Sequence, residues 1–495
     1  MRTKKPPPFP IRQGLSFRFR AEGLFFPAQL CTGNVRRRSL SGTVDKYMLK
    51  LSTILDNFLA FLYPSFHEFP SIEEKYVNPD ILKSVIFDWH DVIRSATIHP
   101  REYAPDTSMN RIMVGPRRAG KSTMLYSMVR FLVEHGASWN SIIFINFEDE
   151  RLSEFSLADF NDILSVQAEL SDETSWFFFD EIQNIPGWEK FARRIADSGR
   201  HVFITGSNAR MLSREMEMVL GGRYLASFIE PYSFSEFLDA SGVAHGKREM
   251  LSTAGRGAIQ RAFEEHLHFG GFPETLHLSS KREYLSSICG KILLGDIVAR
   301  NGIRNERALR LTIKKIAESV RNEISFSRLH NMLRSIGLSI SKDTVISYVG
   351  HAEDACLIFA IRNKFAEFSE HEGNPKYYFC DNGILGLFLA DADPALLENL
   401  VALHLRRRYG EVFFLKSPKY GIDVDFFVPE TKTAIQVAWR LSDEAREREF
   451  RNLLKLSNTF RDAERLAVVT AYPAPVENVP EGVEVIPALK FLLEG

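Results

Sequence analysis

The residues best suited to chemistry run from Gly115 to Ser122, read Gly-Pro-Arg-Arg-Ala-Gly-Lys-Ser and match G-x-x-x-x-G-K-S/T without a mismatch. An apolar run, 112–114, precedes them, and a helical pattern that opens at Thr123 follows. A glycine-rich loop between a strand and a helix can wrap its backbone N–H groups around a polyphosphate. Lys121 would then reach the β and γ phosphates, and Ser122 would bind Mg²⁺. The residues predicted to bind the nucleotide are Gly115, Pro116, Arg117, Arg118, Ala119, Gly120, Lys121, Ser122 and Thr123.

A pair of acids supplies the second half of the predicted site. Asp180 and Glu181 directly follow the apolar run 176–179, where a buried strand is expected to end. Asp180 is predicted to bind the Mg²⁺ that Ser122 holds, and Glu181 to orient or deprotonate the attacking water. The loop and the acid pair together predict a nucleoside-triphosphate hydrolase.

Two further positions are candidates for contact with the γ-phosphate. A fourth apolar run ends in Gly-Ser-Asn, where Asn208 or Ser207 is placed to contact the γ-phosphate or the water, with an ordinary turn as the alternative. Arg223 is the candidate arginine finger, acting in its own subunit or in a neighbour's. Arg210 and Arg214 compete with Arg223 for this role.

The elements that must position these residues indicate an α/β core. Continuous apolar runs, rather than alternating ones, are typical of strands buried on both faces of a parallel sheet. Asn78 is the predicted N-cap, and Pro79 the first residue, of a helix that precedes this core. Five runs of strand length occur in the core, at 112–114, 141–146, 176–179, 201–205 and 225–229.

These motifs, in this order, resemble the prokaryotic AAA-type ATPases that carry a fused C-terminal domain of unknown function. The resemblance extends from about Asn110 to the end of the chain. It implies a P-loop core with strand order 5-1-4-3-2, Asp180 and Glu181 as the metal aspartate and the glutamate that follows it, and ATP as the nucleotide. Arg118-Ala119 depart from the Gln-Val usual in the family, at positions that tolerate change. The stretches that carry it are GPRRAGKS, SIIFINFED, FFFDEIQNIPGWEKF, FITGSNARML and GGFPE.

The predicted organisation has six segments. Residues 1–47 are basic and are either a disordered arm, a transit peptide or the product of a start codon assigned too early, with Met48 as the true first residue. The remaining segments are an N-terminal helical segment at 48–105, the P-loop core at 106–236, a helical lid at 237–302, a winged-helix domain at 303–385 and a PD-(D/E)XK-like domain at 386–495.

The predicted winged helix leaves DNA binding open. Its presumed recognition helix carries Asp343, Glu353 and Asp354 beside Lys342. A helix that lies in a major groove is expected to be basic and to carry side chains for base edges. Docking of protein partners or neighbouring subunits is therefore favoured over sequence-specific DNA binding.

The last hundred residues read helix, three strands, helix, strand, an order that resembles the PD-(D/E)XK nuclease fold. Glu398 and Asp425 match its acidic positions, and Asp423 lies on the same strand face as Asp425. The third strand offers Gln436-Val437-Ala438 where the motif needs an acid, any residue and a lysine. The module is therefore predicted to be a nuclease-inactive remnant that is used for binding.

The composition of the chain limits the cell compartments and the binding partners that are expected. With 62 Lys+Arg against 63 Asp+Glu, the whole molecule has no charge that would attract nucleic acid or acidic lipid. Four scattered cysteines favour the reducing cytoplasm, and no apolar run is long enough for a membrane span.

The predicted function is a cytoplasmic AAA-type ATPase that binds and hydrolyses Mg-ATP and uses turnover to rearrange its C-terminal modules. An unidentified protein partner is expected, and a homo-oligomer is left open. The alternatives are a slow ATP-dependent switch that regulates through DNA or protein binding, and an ATP-gated nuclease.

Overall fold

The computed structural model of the chain describes residues 78–103, 106–173, 175–366, 374–472 and 479–494. The predictions for residues 1–47, and for the first part of the segment 48–105, lie outside these residues. Within them, no helix combines the length and the apolar character needed to cross a membrane.

The first sheet contains five parallel strands among the described residues, in the order β2-β3-β4-β1-β5. This confirms the predicted parallel sheet and its order 5-1-4-3-2. Because β1 pairs in parallel with both β4 and β5, and β2 with β3, the carboxyl ends of the strands meet at one edge of the sheet. The strands are β1 (Arg111–Val114), β2 (Ile142–Asn146), β3 (Trp176–Asp180), β4 (His201–Gly206) and β5 (Leu225–Phe228).

The continuous apolar runs are explained by burial on both sheet faces. On β3, Phe177 and Phe179 pack into one apolar cluster, whereas Phe178 packs into the other cluster with Leu125 and Met128. All three phenylalanines are fully buried, and each such burial stabilises the fold by about 2 to 3 kcal/mol. A strand with both faces covered has no position left for a polar residue until it ends at Asp180.

Helices cover both faces of this sheet. The first begins at Pro79 as predicted, because the side chain of Asn78 accepts a hydrogen bond from the backbone N–H of Asp80 at 2.9 Å. The helices of this region are α1 (Pro79–Ser95), α2 (Lys121–Glu134), α3 (Phe160–Leu170), α4 (Trp188–Asp197) and α5 (Arg214–Leu220).

The region that follows the first sheet is helical, as expected for the predicted lid. Its last helix changes from α to π geometry over Ile292–Ala299, and π-helical turns occur frequently at functional sites. The α-helices here are α6 (Phe234–Ala240), α7 (Lys247–Leu251), α8 (Thr253–Phe269) and α9 (Lys281–Lys291).

The described residues between 306 and 379 form three helices and two strands that pair in antiparallel fashion. These are α10 (Glu306–Ala317), α11 (Phe326–Ser335), α12 (Lys342–Asp354), β6 (Ile358–Asn363) and β7 (Lys376–Phe379). Strand β6 also pairs with β8 of the C-terminal region. The two strands are therefore part of the C-terminal sheet, and the predicted boundary between residues 385 and 386 does not separate hydrogen-bonded units.

The second sheet has seven strands among the described residues, in the order β12-β11-β10-β9-β8-β6-β7. One continuous apolar core joins residues of the helical region, of helices α10–α12 and of this sheet. The remaining strands are β8 (Phe413–Ser417), β9 (Ile422–Val428), β10 (Thr433–Ala438), β11 (Arg465–Thr470) and β12 (Val483–Pro487). The remaining helices are α13 (Asn382–Gly386), α14 (Asp393–Tyr409), α15 (Asp443–Thr459) and α16 (Ala488–Glu494).

Candidate active site

The predicted phosphate loop joins β1 to the N-terminus of α2. Gly115 admits no larger residue, because a Cβ at this position would lie 2.0 Å from the carbonyl oxygen of Ile229. Gly120 caps α2 in the left-handed conformation with φ of 94°, which glycine adopts without steric cost. The loop therefore ends with the first backbone N–H groups of a helix, where an anion is stabilised.

Lys121 lies inside the loop rather than in solvent. Its ammonium group donates hydrogen bonds to the carbonyl oxygens of Gly115, at 3.2 Å, and Pro116, at 3.0 Å. It also lies 3.4 Å from a carboxylate oxygen of Glu181. The lysine thus connects the two halves of the predicted site.

Asp180 is fully buried and keeps one carboxylate oxygen without a hydrogen bond. The hydroxyl of Thr205 donates to Oδ1, whereas Oδ2 completes no hydrogen bond with any of the described residues. Burial, and then the negative charge of Glu181, raise the pKa of Asp180 to about 6. The hydroxyl of Ser122 lies close enough to the carboxylate to act in the opposite direction. A divalent cation next to Oδ2 would satisfy an oxygen that the protein leaves unsatisfied.

The donor set fits Mg²⁺ better than it fits a structural metal. Ser122 and Asp180 supply one hydroxyl and one carboxylate, and Mg²⁺ commonly completes its shell with water and substrate phosphates. Thr123, the next residue of α2, lines the same cavity. The residues present are therefore compatible with Mg²⁺ that arrives together with a nucleotide.

Glu181 is held in an unusual backbone conformation. Its φ of 52° lies in the left-handed region, which costs free energy for a residue other than glycine and is concentrated at functional sites. Its backbone N–H donates to the hydroxyl of Thr205 at 3.0 Å, and its side chain accepts from Gln183. Burial acts to raise the pKa of Glu181, but the charge of Lys121 and the hydrogen bond from Gln183 outweigh it and lower the pKa below its usual value. Glu181 is thus a carboxylate at neutral pH.

A cavity of about 1300 Å³ connects these residues. The loop and the acid pair form one wall, the segment 97–103 forms another, and Glu274, His277 and Lys291 of the helical region close it. Binding sites for small molecules usually enclose about 300 to 1,000 Å³. The cavity is therefore large enough for a nucleoside triphosphate.

The two arginines of the loop contact the helical region. Arg117 donates to Asp296 of the π-helix at 2.7 Å and to Glu148 at 2.9 Å, and Arg118 donates to Glu274 at 3.3 Å. These ion pairs could not be predicted from the sequence, because Asp296 lies 179 residues after Arg117 and no local pattern links the two residues. They tie the phosphate loop to the helices that cover the cavity.

The predicted contacts to the γ-phosphate are not brought into the cavity. Asn208 accepts from the backbone N–H of Arg210 at 3.0 Å and so caps a short 3-10 turn. Arg223 pairs with Asp197 and donates to the carbonyl of Gly221 at 2.8 Å. Neither Asn208 nor Arg223 lines the cavity. Their predicted roles within one subunit therefore have no geometric support.

The competing arginines are no better placed. Arg210 pairs with Asp354 at 2.7 Å, at the end of α12, and does not line the cavity. The side chain of Arg214 lies outside the part of the chain that the structure describes.

Three residues near the acid pair were missed or ranked second by sequence reasoning. Thr205 bonds both Asp180 and Glu181, and Gln183 joins Glu181 to the hydroxyl of Ser207, the latter at 3.3 Å. Thr205 had a weak signal, since it is a lone hydroxyl at the end of an apolar strand. Ser207, rather than Asn208, is the polar residue of that turn that connects with the candidate water-activating group.

A second group of buried charges lies in the C-terminal region. Glu398 is 1% exposed and accepts from the hydroxyl of Tyr378 at 2.8 Å and from Arg321 at 3.1 Å. The ammonium group of Lys376, on β7, lies 3.5 Å from Glu398 and 3.0 Å from Asp425. Burial acts to lower the pKa of Lys376, but the two carboxylates raise it above its usual value. The lysine is therefore charged and neutralises the acids between which it lies.

The residues around Asp425 complete this group. The backbone N–H of Val437 donates to Oδ2 of Asp425 at 3.0 Å, and Gln436 donates to Glu449 at 2.6 Å. Asp423 is more than half exposed and lies 3.9 Å from Lys416. In the part of the chain described, no three His, Cys, Asp or Glu side chains are grouped so that they could hold a metal ion.

Comparison with known families divides the chain into two matched regions. A model for an AAA domain matches residues 109–238. A model for a domain of unknown function (DUF8612) matches residues 260–394. The first region therefore carries an AAA-type P-loop domain. The second region matches a domain whose function is unknown.

Two curated relatives extend over most of the chain. An uncharacterized protein of Methanocaldococcus jannaschii is 31% identical over 470 residues, which cover 92% of this chain and 100% of the relative. An uncharacterized protein of Haemophilus influenzae is 28% identical over 397 residues, 79% of this chain and 95% of the relative.

Solved structures are similar only in part. A Walker-type ATPase of Pyrococcus abyssi aligns at 15% identity and a TM-score of 0.37, over 64% of this chain and 97% of that protein. The ORC1 protein of Aeropyrum pernix, solved in complex with DNA, aligns at 14% identity and a TM-score of 0.28, over 65% of this chain and 93% of that protein. Similarities this partial support no functional conclusion.

Proposed function

The chain belongs to the same family as its Methanocaldococcus jannaschii relative, a family with an AAA-type P-loop domain, and we propose that it binds Mg-ATP at this domain and hydrolyses it. One observation carries the proposal. Buried Asp180, which has one oxygen without a hydrogen bond among the described residues, lines together with Ser122 a cavity large enough for a nucleotide.

In the proposed complex the phosphates bind the loop from Gly115 to Thr123. The N-terminus of α2 and the ammonium group of Lys121 stabilise their charge. Ser122 and Asp180 would hold Mg²⁺, whose charge would offset that of the phosphate oxygens. When the phosphates bind, Lys121 would give up its hydrogen bonds to the loop carbonyls and donate to the phosphates instead. We expect this exchange to need only a small change in the lysine side chain.

Glu181 is the proposed water-activating residue. Its lowered pKa keeps it ionised, and so able to accept a proton, and its contacts with Lys121, Gln183 and Thr205 fix its orientation. We assign the polar contact that completes this network to Ser207, because Gln183 joins it to Glu181. Asn208 becomes the less favoured choice.

Phosphate release from Mg-ATP tests the proposal. Glu181→Gln keeps the shape of the side chain but removes the base, so we expect turnover to fall by roughly 10²- to 10⁴-fold while the nucleotide still binds. Lys121→Ala is expected to weaken binding itself. If the wild-type chain and both variants release phosphate at the same rate, hydrolysis at this site is excluded.

We further propose that the C-terminal modules respond to the nucleotide. Residues 303–385 are interpreted as a winged helix and 386–495 as a PD-(D/E)XK-like module without nuclease activity. The contact of Arg210 with Asp354 supports a response within the chain, because it uses the acidic end of the presumed recognition helix to bind the P-loop domain. An unidentified protein partner fits this helix better than DNA, and Arg223 is kept as a finger acting across subunits of a homo-oligomer.

The alternative of a slow nucleotide-dependent switch is favoured by one feature. Both loop arginines, Arg117 and Arg118, are paired with acids that approach the cavity from the helical region or from β2. Tight nucleotide binding with very slow turnover would favour this switch over an ATPase that rearranges its C-terminal modules by repeated hydrolysis. The ATP-gated nuclease is disfavoured, because Lys376 already neutralises its acids.

A further inference from the structure

Arg101 contacts the phosphate loop from a segment that precedes the P-loop domain. Its three guanidinium nitrogens donate to three different acceptors: the carbonyl of Ala119 at 3.1 Å, the carbonyl of Glu230 at 2.6 Å and the carboxylate of Glu236 at 2.8 Å. Arg101 also lines the cavity, and a Cβ on Gly120 would lie 3.2 Å from it. One planar side chain therefore fixes the last residues of the loop relative to the segment after β5.

The two acids behind Arg101 also bind the C-terminal region. Glu230 accepts from Arg406 at 2.8 Å and from Arg407 at 2.9 Å, although these arginines lie about 176 residues further along the chain. Arg407 also lies 3.6 Å from Glu236. Both arginines belong to the last turn of α14. A continuous row of charges therefore runs from the loop carbonyl of Ala119 to this helix.

Because this row of charges is buried, its stability depends on every partner being in place. The side chains of Glu230 and Glu236 are each 5% exposed, and three guanidinium groups face these two carboxylates. Burial acts to raise the pKa of both acids, but the arginines outweigh it and lower the pKa of each below its usual range. Removing one partner from a buried ion pair leaves an uncompensated charge, so a shift at one end is resisted at the other.

We propose that Arg101 is a positioning residue for the phosphate loop, and that Arg406 and Arg407 hold it there through Glu230 and Glu236. The nucleotide-binding arrangement of the loop and the seating of the C-terminal helix α14 are then one coupled state. This inference rests on the proposed nucleotide site and adds a path between that site and the C-terminal region. Coupling of binding energies is reciprocal, so each end reports on the other.

The test uses the full chain and three variants. Arg407→Gln removes two pairs far from the nucleotide, and Arg101→Lys keeps the charge but loses the three-way contact. Arg321→Gln is the matched control, because it breaks a buried pair with Glu398 in the same region without touching the row of charges. The probes are a fluorescent, slowly hydrolysed ATP analogue for affinity and amide hydrogen exchange over residues 393–409. Circular dichroism checks that each variant is folded, and Arg407→Lys replaces Arg407→Gln if the latter is not.

We expect Arg101→Lys and Arg407→Gln each to weaken nucleotide binding by about tenfold, within the usual range for coupled sites, whereas Arg321→Gln leaves it unchanged. KM should rise more than kcat falls, because positioning of the loop serves bound substrate and transition state alike. The analogue should slow exchange in 393–409 of the wild-type chain and have no such effect in Arg101→Lys.

Two results would overturn the inference. One is a folded Arg407 variant that binds the analogue as tightly as the wild-type chain. The other is an exchange response in 393–409 that persists in Arg101→Lys. These differ from failure of the proposed function, in which the wild-type chain and Lys121→Ala show the same lack of binding.

Discussion

Two pairs of acids among the described residues, Asp180 with Glu181 and Glu398 with Asp425, differ in how their charge is balanced. Lys121 pairs with Glu181, whereas Asp180, at a large cavity, keeps an oxygen without a hydrogen bond among the residues that the structure describes. Between Glu398 and Asp425, Lys376 lies within 3.5 Å of both, so the protein itself supplies the cation. The two acid pairs, both of which match acidic positions of metal-binding motifs in the sequence, therefore differ in whether they have capacity left for a ligand.

The comparison is sharpest when the same substitution is made at both sites. Asp180→Asn and Asp425→Asn each remove one charge and keep the shape of the side chain. We expect Asp180→Asn to lower Mg-ATP turnover by roughly 10³-fold, because it removes a metal ligand, a loss comparable to that of a transition-state donor. Asp425→Asn should stay within about twofold of the wild-type rate, in the range of changes remote from the chemistry. Phosphate release measured with saturating Mg-ATP decides between the two.

Equal losses in the two variants would contradict the comparison, since the C-terminal acids would then take part in turnover. Plasmid nicking in the presence of Mg²⁺ that disappears in Asp425→Asn would contradict it more strongly, because the second pair would then hold a working metal.

The internal cation can be removed at the second site. Lys376→Met takes the ammonium group away from buried Glu398 and from Asp425, and breaking a buried pair in this way costs about 3 kcal/mol. We expect a matching fall in the free energy of unfolding, measured with urea. Lys416→Met, which removes a more exposed lysine near Asp423, should cost less than about 1 kcal/mol. Added Mg²⁺ should recover part of the loss in Lys376→Met only. If Mg²⁺ stabilises the wild-type chain equally, Lys376 does not stand in for a metal.

Much of the first site could be predicted from the sequence, whereas the role of Lys376 at the second site could not, and the difference has a physical reason. Continuous apolar runs and the loop motif are local signals, and they predicted the parallel sheet and the strand end at Asp180, whereas the strand order came from the family resemblance. Lys376 lies in the segment 303–385 that was predicted as a winged-helix domain, 49 residues before Asp425. Its role depends on β6 pairing with β8, which is a contact between distant segments that no local pattern encodes.

Within the first site the same limit applies. The glycines, Lys121 and the acid pair occupy fixed spacings and were found. Thr205 and Arg101 act through hydrogen bonds to residues distant in the sequence, and threonine and arginine are too common to be singled out by type. Asn208 and Ser207 were both candidates for the γ-phosphate contact, with an ordinary turn as the alternative, and the residue types of a turn do not indicate which side chain connects with Glu181.

A buried base extends the comparison to a group whose pKa is set mainly by burial, although the negative charge of Glu236 acts in the opposite direction. His266 donates or accepts through Nε2 at the carbonyl of Tyr232, 3.1 Å away, and its Nδ1 has no partner among the described residues. Burial, and then the charge of Arg407, lower the pKa of His266 to about 4, despite the opposing effect of the Tyr232 carbonyl. The unfolded chain takes up this proton near pH 6.5, before the folded chain does. The stability is therefore full above pH 6.5 and is lost as pH falls toward 4.

The expected loss attributable to His266 is about 2 kcal/mol at pH 5 relative to pH 8. Urea unfolding of the wild-type chain and of His266→Gln at both pH values measures it, because only the difference between the two proteins isolates this residue from the other titrating groups. A difference in unfolding free energy that does not change with pH would show that His266 is protonated in the folded chain or accessible to water.

The smallest expected effect separates the two polar residues at the end of β4. Ser207→Ala removes the hydroxyl that accepts a hydrogen bond from Gln183, the residue that also donates to Glu181. Turnover should therefore fall by about fivefold, as expected for the loss of one weak positioning contact. Asn208→Ala removes only the cap of a short turn and should cost about 1 kcal/mol of stability with turnover unchanged. Steady-state kinetics and urea unfolding of both variants assign each residue to one role. A larger loss of turnover in Asn208→Ala would restore Asn208 as the contact to the γ-phosphate, and would mean that the turn after β4 rearranges when the nucleotide binds.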